Sequence, residues 1–432
     1  MIKRVSGLSF ALCVSLLSDV LYMDDLIKEA LVNSPDIKIS TSQYEAAVQR
    51  SNIAGSDYLP QVNIGANLGK SHTDFGNQSF AGRPIQNVNN DILTGSVSAS
   101  QLLYDFGKTG GNMDDFEQRA KASKASLAQD ISNKIFAVKK SYYDLLTKQA
   151  LIEVNKENVK LNEQQLNRSQ KYFKAGIRTK VDVTDAKVNL IQAQLSLQNV
   201  QYDTKLALVK LYQEVGFNNN KKNIEVYIEQ PALKDVYKSL NKLQFSEDYY
   251  KKEAYKNRAE LKQYHELLKA SISQNTKIDG DYFPELYANG DYFTQKAQEN
   301  TISPKRQWTA TLSLRWNVFA GNRTSAQSEE ARINTLKAQA DLDKVKLRIQ
   351  KEISDAFIKV NKELDNTRLS QSLSLASNEK FIQAGKRYEH GLADFVELQQ
   401  ARQSYIDSRA SLTQSYYRFY TAVAELNRAA GK

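Results

Sequence analysis

GNMDDFEQRAKASKASLAQDISNKIFAVKKSYYDLLTKQALIEVNKENVKLNEQQLNRSQKYFKAG, residues 111–176, decides the fold. Between Gly111 and Gly176 there is no glycine and no proline. The stretch is filled with Ala, Leu, Lys, Gln, Glu and Ser, residues that mostly favour helix. A single helix over it would run roughly 95 Å at 1.5 Å per residue, several times the length of an ordinary globular helix. Apolar residues recur at a spacing of seven: Ile131, Val138, Leu145, Ile152, Val159, Leu166 and Phe173. Heptad spacing predicts a narrow buried seam with wet flanks, as in a coiled coil. A second breaker-free stretch lies between Gly321 and Gly385. Its line is weaker, because Thr367 and Ser374 interrupt Ile353, Val360, Phe381 and Tyr388.

Outward from these stretches the chain is duplicated. Asn33-Ser34-Pro35-Asp36-Ile37 returns as Asn257-Arg258-Ala259-Glu260-Leu261, and Tyr58-Leu59-Pro60 as Tyr282-Phe283-Pro284. Further on, Gly176, Ala186, Ile191, Ser196, Leu197, Tyr202 and Ala207 return as Gly391, Ala401, Ile406, Ser411, Leu412, Tyr417 and Ala422. The offset changes between the two sets, which predicts a longer loop in the first half, within about residues 71–91. Each half reads helix, strand pair, very long helix, tight turn, helix. The expected organisation is a signal segment over 1–18, a first repeat over 19–217, a connector over 218–245 and a second repeat over 246–432. The signal reading rests on Lys3 and Arg4 before an apolar run from Val5 to Leu17; a buried N-terminal helix is the other reading. Repeats that cannot close a core alone do so by assembling.

Residues 308–318 alternate with period two. Trp308, Ala310, Leu312, Leu314, Trp316 and Val318 share one face; Thr309, Thr311, Ser313, Arg315 and Asn317 share the other. The two Trp residues bracket ~26 Å of strand at ~3.3 Å per residue, close to the apolar band of an outer-membrane barrel. Strands are expected also at about 285–293, at 61–68 and at about 93–105, with the same alternation. Aromatics gather at the strand bases: Tyr58, Tyr104, Phe106, Tyr282, Phe283 and Phe319. A soluble sheet covered by helices is the commoner meaning of such alternation, but no apolar helix is available to cover four such strands. Four strands do not close an open-lumen barrel, and bare edges are not tolerated in lipid. Several chains would therefore share one barrel.

Composition narrows the function. No window of 18 or more apolar residues offers a membrane-spanning helix. One cysteine, Cys13, excludes a disulfide framework and a thiolate metal cluster. The three histidines, His72, His265 and His390, are too scattered for a His-built metal site, so no metal or cofactor is expected. The net charge of +10 comes from 59 basic and 49 acidic residues that are interleaved, so no nucleic-acid stripe emerges. Gly107-Lys108-Thr109 resembles the end of a phosphate loop, but the upstream glycine position is Leu102. The carboxylates have no nearby His or Cys partner. An enzyme is not expected. A soluble coiled-coil scaffold explains the long helices but neither the Trp-bracketed strand nor the duplication.

The pattern resembles the outer-membrane efflux protein family, the TolC-like channel-tunnels. The resemblance covers nearly all of the chain after residue 20. It is carried by Asn33-Ser34-Pro35, Leu59-Pro60, Tyr104-Asp105-Phe106-Gly107, Val318-Phe319-Ala320-Gly321, and two turn motifs. The turns are Phe173-Lys174-Ala175-Gly176 with Asp182-Val183, and Tyr388-Glu389-His390-Gly391 with Glu397-Leu398. The implied fold is mainly helical with membrane strands: a homotrimer with a twelve-stranded barrel in the outer membrane of a Gram-negative bacterium and a long α-helical tunnel in the periplasm. The implied function is passive export of small molecules or proteins, received from an inner-membrane transporter through a periplasmic adaptor. By the same resemblance Trp308, Trp316, Tyr104, Phe106 and Phe319 form an aromatic girdle against outer-membrane lipid. The turns around Phe173, Gly176 and Gly391 dock the adaptor. Glu397 lines a constriction, where a ring of three carboxylates would attract cations; Asp182 and Asp185 stand in the first-half gate, and Tyr388 matches a latch tyrosine that hydrogen-bonds. Two positions depart from the family. Ala393 replaces an Arg, leaving Arg178 of the first half as the matching cation, and Gln400 replaces a second carboxylate. Asp182 and Asp185 have a second reading as helix caps, and both glycines have one as turn formers. Drug, metal or protein cargo is not distinguishable from these residues.

Overall fold

The computed structural model describes residues 22–84, 87–217, 240, 243, 245–296 and 305–432. The signal segment and most of the connector expected at 218–245 lie outside the described residues. The helices are α1 (Met23–Asn33), α2 (Pro35–Gly55), α3 (Lys108–Lys174), α4 (Lys180–Val215), α5 (Glu247–Asn257), α6 (Ala259–Asp279), α7 (Arg323–Glu389) and α8 (Phe395–Ala429). The strands are β1 (Gln61–Thr73), β2 (Ser79–Phe80), β3 (Arg83–Pro84), β4 (Val88–Tyr104), β5 (Glu285–Lys296) and β6 (Arg306–Arg315). Both breaker-free stretches are single helices, and α3 and α7 have the same length, 67 residues. None of the described helices is long and apolar enough to cross a membrane.

The described residues group into two compact units. One takes those within Met1–Ile39, Gln129–Arg258 and Ile349–Lys432; the other takes Ser40–Ala128 and Ala259–Arg348. In the first, helical unit, the duplication is visible as packing. Each half begins with two helices rather than one. The break between α1 and α2 falls at Ser34, whose backbone is extended, as expected for a residue before proline. The break between α5 and α6 falls at Arg258, equally extended, although Ala259 follows it. Against each break presses the glycine that ends its half. A Cβ on Gly216 would sit 3.1 Å from Asn33, and one on Gly431 would sit 3.1 Å from Arg258. Arg258 is 3% exposed and ion-pairs with Glu352. In the first half Lys134 plays the corresponding tying role, bonding Asp36 at 2.8 Å and Glu214 at 3.1 Å.

The seam of α3 follows the heptad line only in part. Val138 and Leu145 are fully buried, but the line then yields to Leu151, Val154, Asn162, Gln165 and Ser169. A straight helix drifts about 20° per heptad against a seven-residue repeat, so a fixed line leaves the interface within a few turns. In α7, Thr367 does not interrupt the seam. It is fully buried below Ile353 and Val360, because its hydroxyl donates to the Glu363 carbonyl at 2.7 Å and brings no unsatisfied group into the core.

The second unit holds an antiparallel sheet of order β1-β4-β5-β6. The loop expected near 71–91 is shorter: β1 and β4 stay paired out to Thr73 and Val88, and β2 pairs β3 just beyond. Strand β6 stops at Arg315, so Trp316 and Val318 lie past its end. There Trp316 Nε1 donates to the Tyr282 carbonyl at 3.1 Å, and Gly321 and Asn322 turn left-handed into α7. The first-half exit is built similarly. Phe106 and Gly107 have positive φ, and the Asp105 carboxylate accepts from Gly107 N at 3.2 Å and Thr109 N at 2.6 Å, capping the start of α3. Lys108 then reaches Asp281 at 2.7 Å and Glu285 at 2.8 Å. Gly111 allows α3 to meet α6 backbone to backbone: a Cβ there would fall 2.5 Å from the Lys277 nitrogen.

Candidate functional site

The register makes one face of the sheet continuous. Val62 pairs Ala99, Ile64 pairs Val97 and Leu68 pairs Leu93. Val97 pairs Tyr292 and Ala99 pairs Gly290. Tyr292 pairs Trp308, Ala288 pairs Leu312 and Leu286 pairs Leu314. Directly opposed residues point to the same side, so the apolar rows of all four strands share one face. That face is uncovered in the chain: Leu68 is 86% exposed, Trp308 78% and Leu312 68%. The opposite face is polar and bonded across strands. Ser100 Oγ donates to Asn289 Oδ1 at 2.8 Å, Asn289 Nδ2 donates to Ser313 Oγ at 3.1 Å, and Asn67 Nδ2 donates to Thr94 Oγ1 at 3.3 Å. A β-bulge between Leu102 and Tyr104 shifts the register with β5 before its last pair, Tyr104 opposite Leu286. Of the expected girdle residues, Tyr104 and Phe106 meet edge to face at 4.7 Å, and Phe106 stacks on Phe283 at 4.9 Å. Trp308, Trp316 and Phe319 are exposed.

The helical unit holds the two turns. At the first, Gly176 is left-handed with φ 72°, and Ile177 N donates to the Tyr172 carbonyl at 2.9 Å. At the second, Gly391 has φ 71°, and Leu392 N donates to the Arg387 carbonyl at 2.8 Å. Both are glycine-terminated helix ends that satisfy the last carbonyls. The next helices are capped by residues the sequence did not single out. Thr179 Oγ1 accepts from Asp182 N at 3.5 Å, and Asp394 Oδ1 accepts from Glu397 N at 2.7 Å. The capping reading of Asp182 and Asp185 therefore fails, since Thr179 holds that position. The Asp182 and Asp185 carboxylates have no ion-pair partner among the described residues.

Arg178 and Tyr388, far apart in sequence, are brought together: the guanidinium lies 5.0 Å from the ring centroid, a cation–π contact. Tyr388 is 1% exposed and packs beside Tyr172 and Phe395. Within the chain it is a core aromatic, and its hydroxyl makes no hydrogen bond to another described residue. Glu397 is paired inside its own hairpin. Arg387 Nη1 bonds Glu397 Oε1 at 2.7 Å, and Arg387 Nη2 reaches the Leu392 carbonyl at 3.3 Å. Arg387 escaped the sequence reading. The signal was available, because a turn centred on Leu392 places positions 387 and 397 opposite each other. Phe173 is exposed beside its turn. No described cluster of His, Cys, Asp and Glu is arranged to hold a metal.

The profile of the outer membrane efflux protein family matches residues 26–216 and 251–432. The outer membrane protein TolC of Vibrio cholerae is 20% identical over 443 aligned residues, covering 99% of this chain and 95% of that protein. The alkaline protease secretion protein AprF of Pseudomonas aeruginosa is 23% identical, covering 93% of this chain and 82% of its own length. The solved outer-membrane channel OprN superposes with a TM-score of 0.82 at 19% identity, over 95% of this chain and 89% of that one.

Proposed function

The chain belongs to the outer membrane efflux protein family, and from that premise we propose that three copies form one passive export conduit through the outer membrane. Each copy supplies β1, β4, β5 and β6 to a twelve-stranded barrel, and α3, α4, α7 and α8 to a periplasmic tunnel. The observation that carries this reading is the sheet. Its four apolar rows share one uncovered face, its other face is polar and cross-bonded, and its outer strands β1 and β6 each have one neighbour among the described residues. A bilayer accepts such a face only if both edges are paired, and another copy of the same sheet supplies the partner edge.

The two turns form the periplasmic gate in this proposal. Asp182 and Asp185 present carboxylates with no ion-pair partner among the described residues, Arg178 and Tyr388 lock the turns together, and Glu397 contributes charge to the extent that Arg387 releases it. The exposed tips around Phe173, Gly176 and Gly391 receive a periplasmic adaptor, which couples the conduit to an inner-membrane transporter. The energy of export comes from that transporter. The protease-secretion role named for AprF makes protein cargo one substrate class, alongside small molecules. The test is oligomeric state and conductance: purified in detergent, the protein should run as a trimer that resists SDS and open ion-conducting pores in planar bilayers. A monomer that stays soluble without detergent would refute the proposal.

A further inference from the structure

Helices α3, α7 and α8 leave a cavity of about 210 Å³ between them, lined among others by Gln165, Arg168, Gly385, Lys386, Glu389 and Arg402. Three of these are cations and one is a carboxylate. The carboxylate is taken: Arg168 Nη1 bonds Glu389 Oε1 at 2.8 Å. Lys386 makes no ion pair among the described residues. Arg402 is the unusual member. It is 3% exposed, its Nη2 is sealed from solvent with no hydrogen-bond partner, and no described carboxylate pairs with it. Burial alone pulls its pKa down to about 10. An unpaired guanidinium in a protein interior is costly, and such groups are normally paired or hydrogen-bonded.

The fold itself does not demand this arrangement. At the duplicated position of the first half stands Lys187, which is exposed on α4. The cavity wall carries a second oddity. Gly385 lies inside α7 with no left-handed φ, and a Cβ there would meet nothing within 4 Å. A helix-interior glycine is less favourable than alanine, and here no neighbouring atom requires it. Its effect is to keep the wall open beside two unpaired cations.

We propose that this cavity is a binding site for a small oxyanion of the phosphate or carboxylate class, held by the Arg402 guanidinium with Lys386 as second cation. The group has two possible sources, a free ion or an acidic side chain of a second copy of this chain. Arginine suits either, because its planar fork matches two oxygens at once.

The test is thermal unfolding of the detergent-solubilised full chain, titrated with inorganic phosphate against chloride at constant ionic strength, with oligomer size followed in parallel. A free-ion site gives a saturable rise of roughly 1–3 °C in the wild-type midpoint. Arg402→Met and Gly385→Leu abolish that rise, the first by removing the fork and the second by filling the space; Arg402→Lys keeps a weaker one. With a free-ion site, Arg402→Met does not lower the midpoint in the absence of phosphate, since it removes an unpaired charge. If phosphate has no effect on the wild type and Arg402→Met dissociates the oligomer, the oxyanion is the neighbouring copy's carboxylate. Two outcomes overturn the proposal: phosphate raising the midpoints of wild type and Arg402→Met equally, or phosphate having no effect while Arg402→Met leaves the oligomer intact.

Discussion

Replacing Leu312 by arginine separates a lipid-facing strand from a solvent-facing one. Leu312 lies in the middle of β6 and pairs with Ala288. It is 68% exposed in the chain, so little of its side chain packs against protein. If that face met water, Leu312→Arg would be an ordinary surface change, within about 0.5 kcal/mol of neutral. If it meets hydrocarbon, arginine near the bilayer midplane costs about 2–4 kcal/mol. At 1.36 kcal/mol per tenfold, that is roughly 30- to 900-fold per copy in the folding equilibrium. The control is its neighbour Thr311, which pairs Asn289 on the polar face. The assay is refolding from urea into lipid vesicles, read as the fraction of heat-resistant oligomer. Leu312→Arg should lose most of that fraction and Thr311→Arg should retain it. Equal losses, or no loss in either, would refute the assignment of the apolar face to lipid.

Gly111→Ala should destabilise the protein by about 1–3 kcal/mol through overpacking, despite the better helix propensity of alanine, because the new Cβ meets the Lys277 backbone; a denaturant midpoint unchanged from wild type would contradict the close contact. Arg387→Gln should leave stability nearly unchanged, since a half-exposed ion pair is worth about 0–1 kcal/mol, but should increase cation preference by freeing Glu397; reversal potentials across bilayers under a salt gradient report it, and unchanged selectivity would place Glu397 outside the ion path. For Lys134, burial opposes the charge, but the hydrogen bonds to Asp36 and Glu214 outweigh it and raise the pKa above the usual lysine value. The sign follows from linkage: a base with a raised folded pKa stabilises the fold below its unfolded pKa and loses that contribution as pH climbs through the folded one. The stability gap between wild type and Lys134→Met should therefore hold from about pH 7 to pH 10 and shrink above that; a gap that widened in alkali would reverse the assignment.

The placement of breakers located both long helices, although Gly111 and Gly385, which bounded the two stretches in sequence, lie inside α3 and α7; a helix continues until a residue cannot join it or a turn residue ends it. Helices α3 and α7 end at Lys174 and Glu389, each just before its left-handed glycine. Alternation located the strands, because period two is a property of the strand itself. The duplication was legible because both copies keep their turn glycines and base aromatics. Where each helix was buried was not legible. The heptad line marks residues that recur on one side, but the position of neighbouring helices decides which of them are covered. Thr367 shows the converse, a polar residue that satisfies its hydroxyl locally and takes a core position.

The shared face of the sheet also lay beyond the sequence. Each strand declares its own two faces, and only the register puts Val62, Ala99, Gly290 and Ala310 in one row. The turn chemistry divides in the same way. Gly176 and Gly391 announce themselves, because left-handed backbone excludes most side chains. The pairing of Arg387 with Glu397, the stacking of Arg178 on Tyr388 and the burial of Arg402 do not. Lys187 and Arg402 stand at equivalent positions of the repeat with the same charge, yet one is exposed and the other enclosed. Residue type fixes which charge is present; the surrounding helices fix whether water or protein must answer it.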